Sequence, residues 1–262
     1  MREFWFCLVT NLWLLFMFGT VCHAQEVKPT PLLLPEVKSI KGKTLEVNKD
    51  VQRMLDFVAR ESGLQFEIKR VPWNRVKWMV ENGEGIAYGI SKSPERLSIY
   101  RYSLPIQTDK VWAISFGNAS PPIQTIEDLR GRKLTMTRGF SYGLEFELAK
   151  GKMFEVEENY NLNAENLLNL ARDPNNFVLW SKRESMNATQ FAAHFHAVEI
   201  QNYHIPALAA MRFNVSSKPI FFDTTHFVSG KNQFPVEMEK LDKALQRTSQ
   251  NGSLLKILYP EN

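Results

Sequence analysis

Strand and helix patterns alternate along most of this chain, and that alternation restricts it to sheets with helices packed over them. Val51, Met54, Leu55 and Val58 recur at helical spacing behind Asn48 or Asp50 as cap, and Gly63 closes the segment. Phe66–Val71 and residues 86–90 read as strands, with a helix between them that carries Val76, Met79 and Val80. Farther on come a strand at Lys133–Thr137, a helix at 144–150, a strand at 154–157, a helix at 164–172 and a strand at 177–180. Such β/α units predict parallel strand pairs. At the end Pro235 opens a helix with Met238, Leu241 and Leu245 on one face. Gly252 stops it, and Leu254, Leu255 and Leu258 suggest a further short helix.

Two places break the rhythm. The apolar strand 111–116 runs into Gly117-Asn118-Ala119-Ser120-Pro121-Pro122, and Tyr203-His204-Ile205-Pro206 precedes an apolar stretch at 207–213 that reads as a strand. If both are crossings, the chain leaves one lobe, builds a second and returns. The division predicted is a larger lobe of residues 25–112 with 206–262 and a smaller lobe of 113–205. No internal repeat competes with it.

The first residues bear on compartment. Arg2 is followed by an almost wholly apolar run from Phe4 to Val21, and Cys22-His23-Ala24 then leads into polar sequence. This is the layout of a signal peptide over residues 1–24, cleaved after Ala24, so the expected location is periplasmic. A retained membrane anchor is the alternative, since about 18 apolar residues can just span a bilayer. Cys7 and Cys22 both lie in this segment, so the mature chain would have no thiol, no disulfide and no cysteine chemistry. The net charge of +4 is spread along the chain among acids rather than clustered, which argues against a nucleic-acid partner. His194 and His196 could face one side of a strand, but two imidazoles lack the further ligands zinc requires. Neither a metal nor any other cofactor is expected.

Several pieces of sequence stand in a telling order. They are Val71-Pro72-Trp73-Asn74-Arg75, Asn82-Gly83-Glu84-Gly85, Ser91-Lys92-Ser93-Pro94-Glu95-Arg96 and Tyr102-Ser103-Leu104-Pro105-Ile106. Ile126-Glu127-Asp128-Leu129-Arg130-Gly131 and Arg138-Gly139-Phe140-Ser141-Tyr142-Gly143 follow them. Together they resemble the family 3 bacterial extracellular solute-binding proteins. The resemblance implies an α/β, two-lobed, periplasmic-binding-protein-like (type II) fold with two interlobe crossings. It further implies a monomeric clamp for a small polar ligand, partnered by the membrane subunits of an ABC importer or by a sensor.

By the same resemblance Arg96 holds a ligand carboxylate and Ser91 hydrogen-bonds beside it. A planar guanidinium suits two carboxylate oxygens. The second lobe would contribute Ser141, where Gly139 permits a close backbone approach. Trp73, Tyr88, Tyr142 and Trp180, with Trp112, are the aromatics expected near the cleft, although core packing is the commoner fate of any one of them. One departure matters. Amino-acid binders of this family carry an aspartate for the ligand's ammonium just after the strand at 177–180, and here that place is Ser181. A charged amine would lose its partner there, which points to a carboxylate without an amine or to a neutral polar compound.

The rival reading is a secreted enzyme. Gly139-Phe140-Ser141-Tyr142-Gly143 satisfies G-x-S-x-G, with Asp223 and His226 following in the chain order of a serine hydrolase. Asp223 and His226 stand too close in sequence to come from separate strand ends, and no His-Gly oxyanion motif precedes Ser141. A lyase or dehydratase on a binding-protein fold would need a poised cleft acid or base, and the sequence nominates none.

Overall fold

The computed structural model describes residues 28–37, 43–117, 122–159, 163–182 and 186–259. The expected leader, its cleavage site after Ala24 and the 118–121 part of the first expected joint lie outside the described residues. The first lobe is built from β1 (Thr30–Pro35), α1 (Lys49–Ser62), β2 (Phe66–Val71), α2 (Trp73–Glu81), β3 (Ile86–Tyr88), α3 (Pro94–Ile99) and β4 (Tyr100–Tyr102). The second lobe follows with β5 (Gln107–Phe116), β6 (Lys133–Thr137), α4 (Leu144–Ala149), β7 (Glu155–Asn159), α5 (Asn163–Asn169), β8 (Asn176–Lys182), α6 (Ala188–His194), α7 (Pro206–Ala209), β9 (Phe213–Val215) and β10 (Phe221–Thr225). The chain then returns to the first lobe as β11 (Phe227–Gly230), α8 (Pro235–Gln250) and α9 (Ser253–Leu258).

The first sheet has strand order β2-β1-β3-β11-β4; the second runs β10-β5-β8-β6-β7, with β9 also on β5. Parallel pairs join β1 to β2 and β3, and β6 to β7 and β8, as the β/α units predict. Every pair made by β5 and β11 is antiparallel. The sheets are therefore mixed, because β5 enters and β11 leaves the second lobe without a helical crossover of its own.

Both faces of each sheet are covered, so its central strands are apolar on both sides. In β1, Leu32 and Leu34 point into a core with Met54, Phe227, Met238 and Leu245, while Leu33 points to the other face with Val76, Val80 and Val228. In β5, Val111 and Ala113 join Phe146, Phe177 and Phe221, and Trp112 and Ile114 join Phe191, Phe195 and Leu208. Local caps set the helix starts. The Asn48 side chain accepts from Asp50 N at 2.8 Å ahead of α1, and Gly63, at φ 68°, ends that helix.

Sheet membership moves the expected lobe boundaries. All of β5 from Gln107, and both β9 and β10 up to Thr225, belong to the second sheet rather than the first. The crossings therefore lie between Tyr102 and Gln107 and at His226, not at 112 and 206. The expected strand at 207–213 is instead the helix α7 followed by β9, since Pro206 presets the first helical turn and alanines extend it. His194 and His196 lie not on a strand but at the end of α6 and in the π-helical turn after it. Asn187 and Gln190 form a capping box that starts this helix. His194 Nε2 lies 3.2 Å from Glu199 Oε1, and His196 Nε2 lies 3.1 Å from the Phe213 carbonyl.

Candidate functional site: the interlobe cleft

The two lobes touch along a line of polar contacts and one aromatic stack. From the first lobe, Trp73 opens α2 directly after Pro72, and its indole Nε1 donates to Gly139 O at 3.0 Å. Its ring stacks on Phe140, with centroids 5.5 Å apart. Arg96 is held in α3 by the Ser93 cap, which accepts from Arg96 N at 3.2 Å. The guanidinium donates from Nη1 to Ser91 O and from Nη2 across the gap to Gly139 O, each at 3.0 Å. Ser91 Oγ lies 3.2 Å from Ser141 O and also contacts the Asp223 carboxylate. Tyr102 OH donates to Ser91 O at 3.2 Å, fixing the Ser91 backbone from the far side.

The second lobe answers with the turn after β6. Gly139 has φ 79°, and a Cβ there would come within 2.6 Å of Lys77 Nζ and 3.3 Å of Asn74 Oδ1, both on α2. Gly143 has φ 94° and ψ 179°, and a Cβ there would lie 2.8 Å from Asp223 Oδ1. These glycines let the turn sit against α2 on one side and β10 on the other. Burial and the nearby Arg96 charge push the Lys77 ammonium below its usual pKa.

This contact line divides a cleft into two cavities. One, of about 240 Å³, has Leu34, Trp73, Tyr88 and Arg96 in its wall. The other, of about 330 Å³, has Asp109, Tyr142, Trp180, Ser181 and Asp223 in its wall. Gly89, Ser91, Phe140 and Ser141 line both. All eight residues nominated from sequence therefore lie on one cavity or the other. They differ in character. Trp180 is 9% exposed and packs edge-on against Phe195 at 5.1 Å, so much of it belongs to the core. Tyr142 donates from its OH to Leu179 O at 3.0 Å, and Tyr88 meets Phe227 edge-on at 5.6 Å. Trp112 is instead fully inside the core, stacked on Phe191 at 4.9 Å.

Sequence reasoning did not place Asp109 in the cleft, and it met Asp223 only as a possible triad member. The two aspartates stand opposite each other in the antiparallel β5–β10 register. Asp109 accepts from Gln107 Nε2 at 2.7 Å and from Thr225 Oγ1 at 3.2 Å. Burial and then the like charge of Asp109 push the Asp223 carboxyl up to about 6, against the Ser91 and Thr224 hydrogen bonds and the Arg96 charge. The available signal was the run of three polar residues at 107–109 and again at 223–225, each at the end of a strand whose remainder is more apolar.

The hydrolase arrangement is not assembled. Ser141 is 7% exposed, and its Oγ has no hydrogen-bond partner among the described residues. The His226 ring is 2.8 Å from Ser103 O through Nδ1 and 2.7 Å from Thr224 Oγ1 through Nε2, so neither nitrogen serves Ser141. Among the described residues no group of three or more His, Cys, Asp or Glu could hold a metal ion, and no helix is long and apolar enough to cross a membrane.

No family model matches the chain, and no curated protein matches it in sequence. Solved structures do match in fold. The amino acid ABC transporter substrate-binding protein AbpA from Streptococcus pneumoniae, bound to L-arginine, aligns with a TM-score of 0.60 at 18% identity, covering 88% of this chain and 93% of that one. The GluR0 ligand-binding core from Nostoc punctiforme, in complex with L-glutamate, gives 0.61 at 15% identity, covering 87% and 97%. A histidine kinase sensor domain with similarity to periplasmic binding proteins gives 0.61 at 16%, covering 88% and 94%. These neighbours are a substrate-binding protein, a ligand-binding core and a sensor domain, and the chain has the two-lobed, periplasmic-binding-protein-like α/β fold that they share.

Proposed function

We propose that this chain is an exported solute-binding protein of the family 3 type. It closes its lobes around a small polar, carboxylate-bearing ligand and presents that ligand to an ABC importer or a sensor. The observation that carries the reading is the Arg96 bridge: one guanidinium holds a carbonyl of its own lobe and a carbonyl of the other. A carboxylate offers such a fork two stronger acceptors than a peptide carbonyl does, so a ligand can take over the Gly139 place and keep the lobes tied through itself. Ser91 and Ser141 supply one neighbouring group from each side. Closure then follows from differential affinity, because a ligand that touches both lobes favours the closed form.

Two measurements test this. A thermal-shift screen of small carboxylates and amino acids should find compounds that raise the melting temperature by mass action. Small-angle scattering with such a compound should show a smaller radius of gyration, and mass spectrometry should recover the compound unchanged. Arg96→Lys is expected to weaken binding at least tenfold with folding retained, since a point charge cannot reproduce the planar fork. Unchanged affinity in the folded variant would remove Arg96 from the site. A product that disappears in Ser141→Ala would instead make the protein an enzyme.

A further inference from the structure

The two cavities of the cleft differ in charge as well as in size. Arg96 lines only the smaller one, and a second guanidinium, that of Arg70, stands in the same wall. Arg70 is the last residue but one of β2, opposite Leu34 in the parallel β1–β2 register. It lies two positions beyond Ile68, which packs with Leu32 and Leu34, so it leaves the sheet on that same face where the core gives way to the cavity. This is the carboxyl end of parallel strands, where open α/β sheets take their ligands. Among the described residues the Arg70 guanidinium makes one hydrogen bond, from Nη1 to Leu45 O at 2.5 Å. Its Nε is buried and has no partner among them.

Clipping Leu45 O uses one N–H of five, and the Nε–Nη2 edge left over is a side of the guanidinium that a carboxylate can grip with both oxygens. Neither Arg70 nor Arg96 has a carboxylate within ion-pair distance among the described residues, and Glu46, the acid in this wall, is exposed. The rest of the wall is largely apolar, with Leu34, Val47, Val51, Trp73 and Tyr88. We infer that the smaller cavity takes a dianion, a short hydrocarbon spine with one carboxylate on Arg96 and a second on Arg70, and that Arg70 selects a diacid over a monoacid. This rests on the binding-protein reading and deepens it, because it gives the ligand a second charged end. A volume of about 240 Å³ lies below the usual range for drug-sized guests, so the spine is a few carbons long. Two like charges in one apolar cavity disfavour each other, and an anion on each removes that cost.

Calorimetric titration with diacids and the monoacids of equal carbon count tests this: succinate with butanoate, glutarate with pentanoate, and adipate with hexanoate. The expected result is that at least one diacid binds at least tenfold more tightly than its monoacid. Arg70→Gln should abolish that preference while leaving the monoacid's affinity within about threefold, whereas loss of a merely structural clip would weaken both acids alike. The monomethyl ester of the binding diacid keeps its chain and lacks one charge, so it repeats the test on the unaltered protein should the variant fail to fold. It should bind at least tenfold more weakly than the diacid. Equal affinity within every pair, equal affinity of diacid and ester, or a folded Arg70→Gln that keeps the preference or weakens both acids alike overturns the subsite and leaves the clamp standing. If none of the six acids binds, the subsite falls, and the thermal-shift screen then decides the clamp separately: another compound that binds leaves it standing, and none removes it as well.

Discussion

Asp223→Asn is expected to stabilise the protein by about 2 kcal/mol near pH 8. An ordinary aspartate titrates near ~3.9 in an unfolded chain, whereas burial and Asp109 push Asp223 up to about 6. The native state thus holds this proton more tightly than the unfolded state does. Stability contributed by the group is present at low pH and is lost as pH rises from about 4 through about 6. Two pKa units correspond to roughly 3 kcal/mol as a ceiling, and local relaxation brings the expected gain to about 2. His226 acts in the opposite direction. Burial lowers its pKa to about 4, so its contribution to stability is lost as pH falls below about 6.5. The two slopes offset each other in the parent protein, and the prediction therefore concerns the difference between variant and parent.

The charged and titratable groups acting on Asp223 are Asp109 on β5 and Arg96 on α3, with the phenols of Tyr102 and Tyr142 nearby. Burial pushes both phenols above their usual range, so they stay neutral throughout this window. Urea unfolding of both proteins at several values between about pH 4 and pH 8 measures the effect. The gap should grow from near zero at the acid end to about 2 kcal/mol, which is roughly 4–8 °C in melting temperature. A gap that does not change with pH would mean that Asp223 carries no penalty for its charge in the native state.

Gly143→Ala is expected to cost about 3 kcal/mol. Its backbone, at φ 94° and ψ 179°, lies in a region open essentially only to glycine, and a side chain there carries strain of order 1–3 kcal/mol. The new methyl would also sit 2.8 Å from Asp223 Oδ1 and 3.3 Å from Phe222 O, so β10 or the turn must shift. Gly131 provides the comparison. It has φ 72° with nothing within 4 Å of the place a methyl would take, and Gly131→Ala should cost only about 1 kcal/mol. Equal losses in the two variants would show that the close approach to Asp223 contributes nothing.

What was legible in the sequence was local. Asn48 marks a helix start through a bond to Asp50, two positions away, Gly63 ends the same helix by its left-handed backbone, and the apolar spacing of Met54, Leu55 and Val58 sets which face is buried. The turn from Gly139 to Gly143 and the Ser91–Arg96 segment were found because their residues are neighbours in the chain. Asp109 and Asp223 belong to strands far apart in sequence, and only the β5–β10 register sets them face to face. A register of that kind is decided by tertiary packing, which a single sequence does not display. The same reason hid the lobe boundaries. Gln107-Thr108-Asp109 is too polar to read as strand by itself, so β5 seemed to begin at its apolar half.

The passage between the lobes at His226 has a mechanical consequence. Thr225 ends β10 in one sheet and Phe227 begins β11 in the other, with a single buried residue between them. Beside them runs the outgoing segment, joined by Ser103 N to Phe227 O at 2.9 Å, Phe227 N to Ser103 Oγ at 3.0 Å and Ile106 N to Thr225 O at 2.8 Å. The imidazole of His226 bolts the outgoing strand to the returning one through Ser103 O. A ribbon of two hydrogen-bonded strands resists shear and splaying far more than it resists twist. The lobes are thus coupled as two plates on one torsion bar, and the clamp proposed above would close by rotation about that bar.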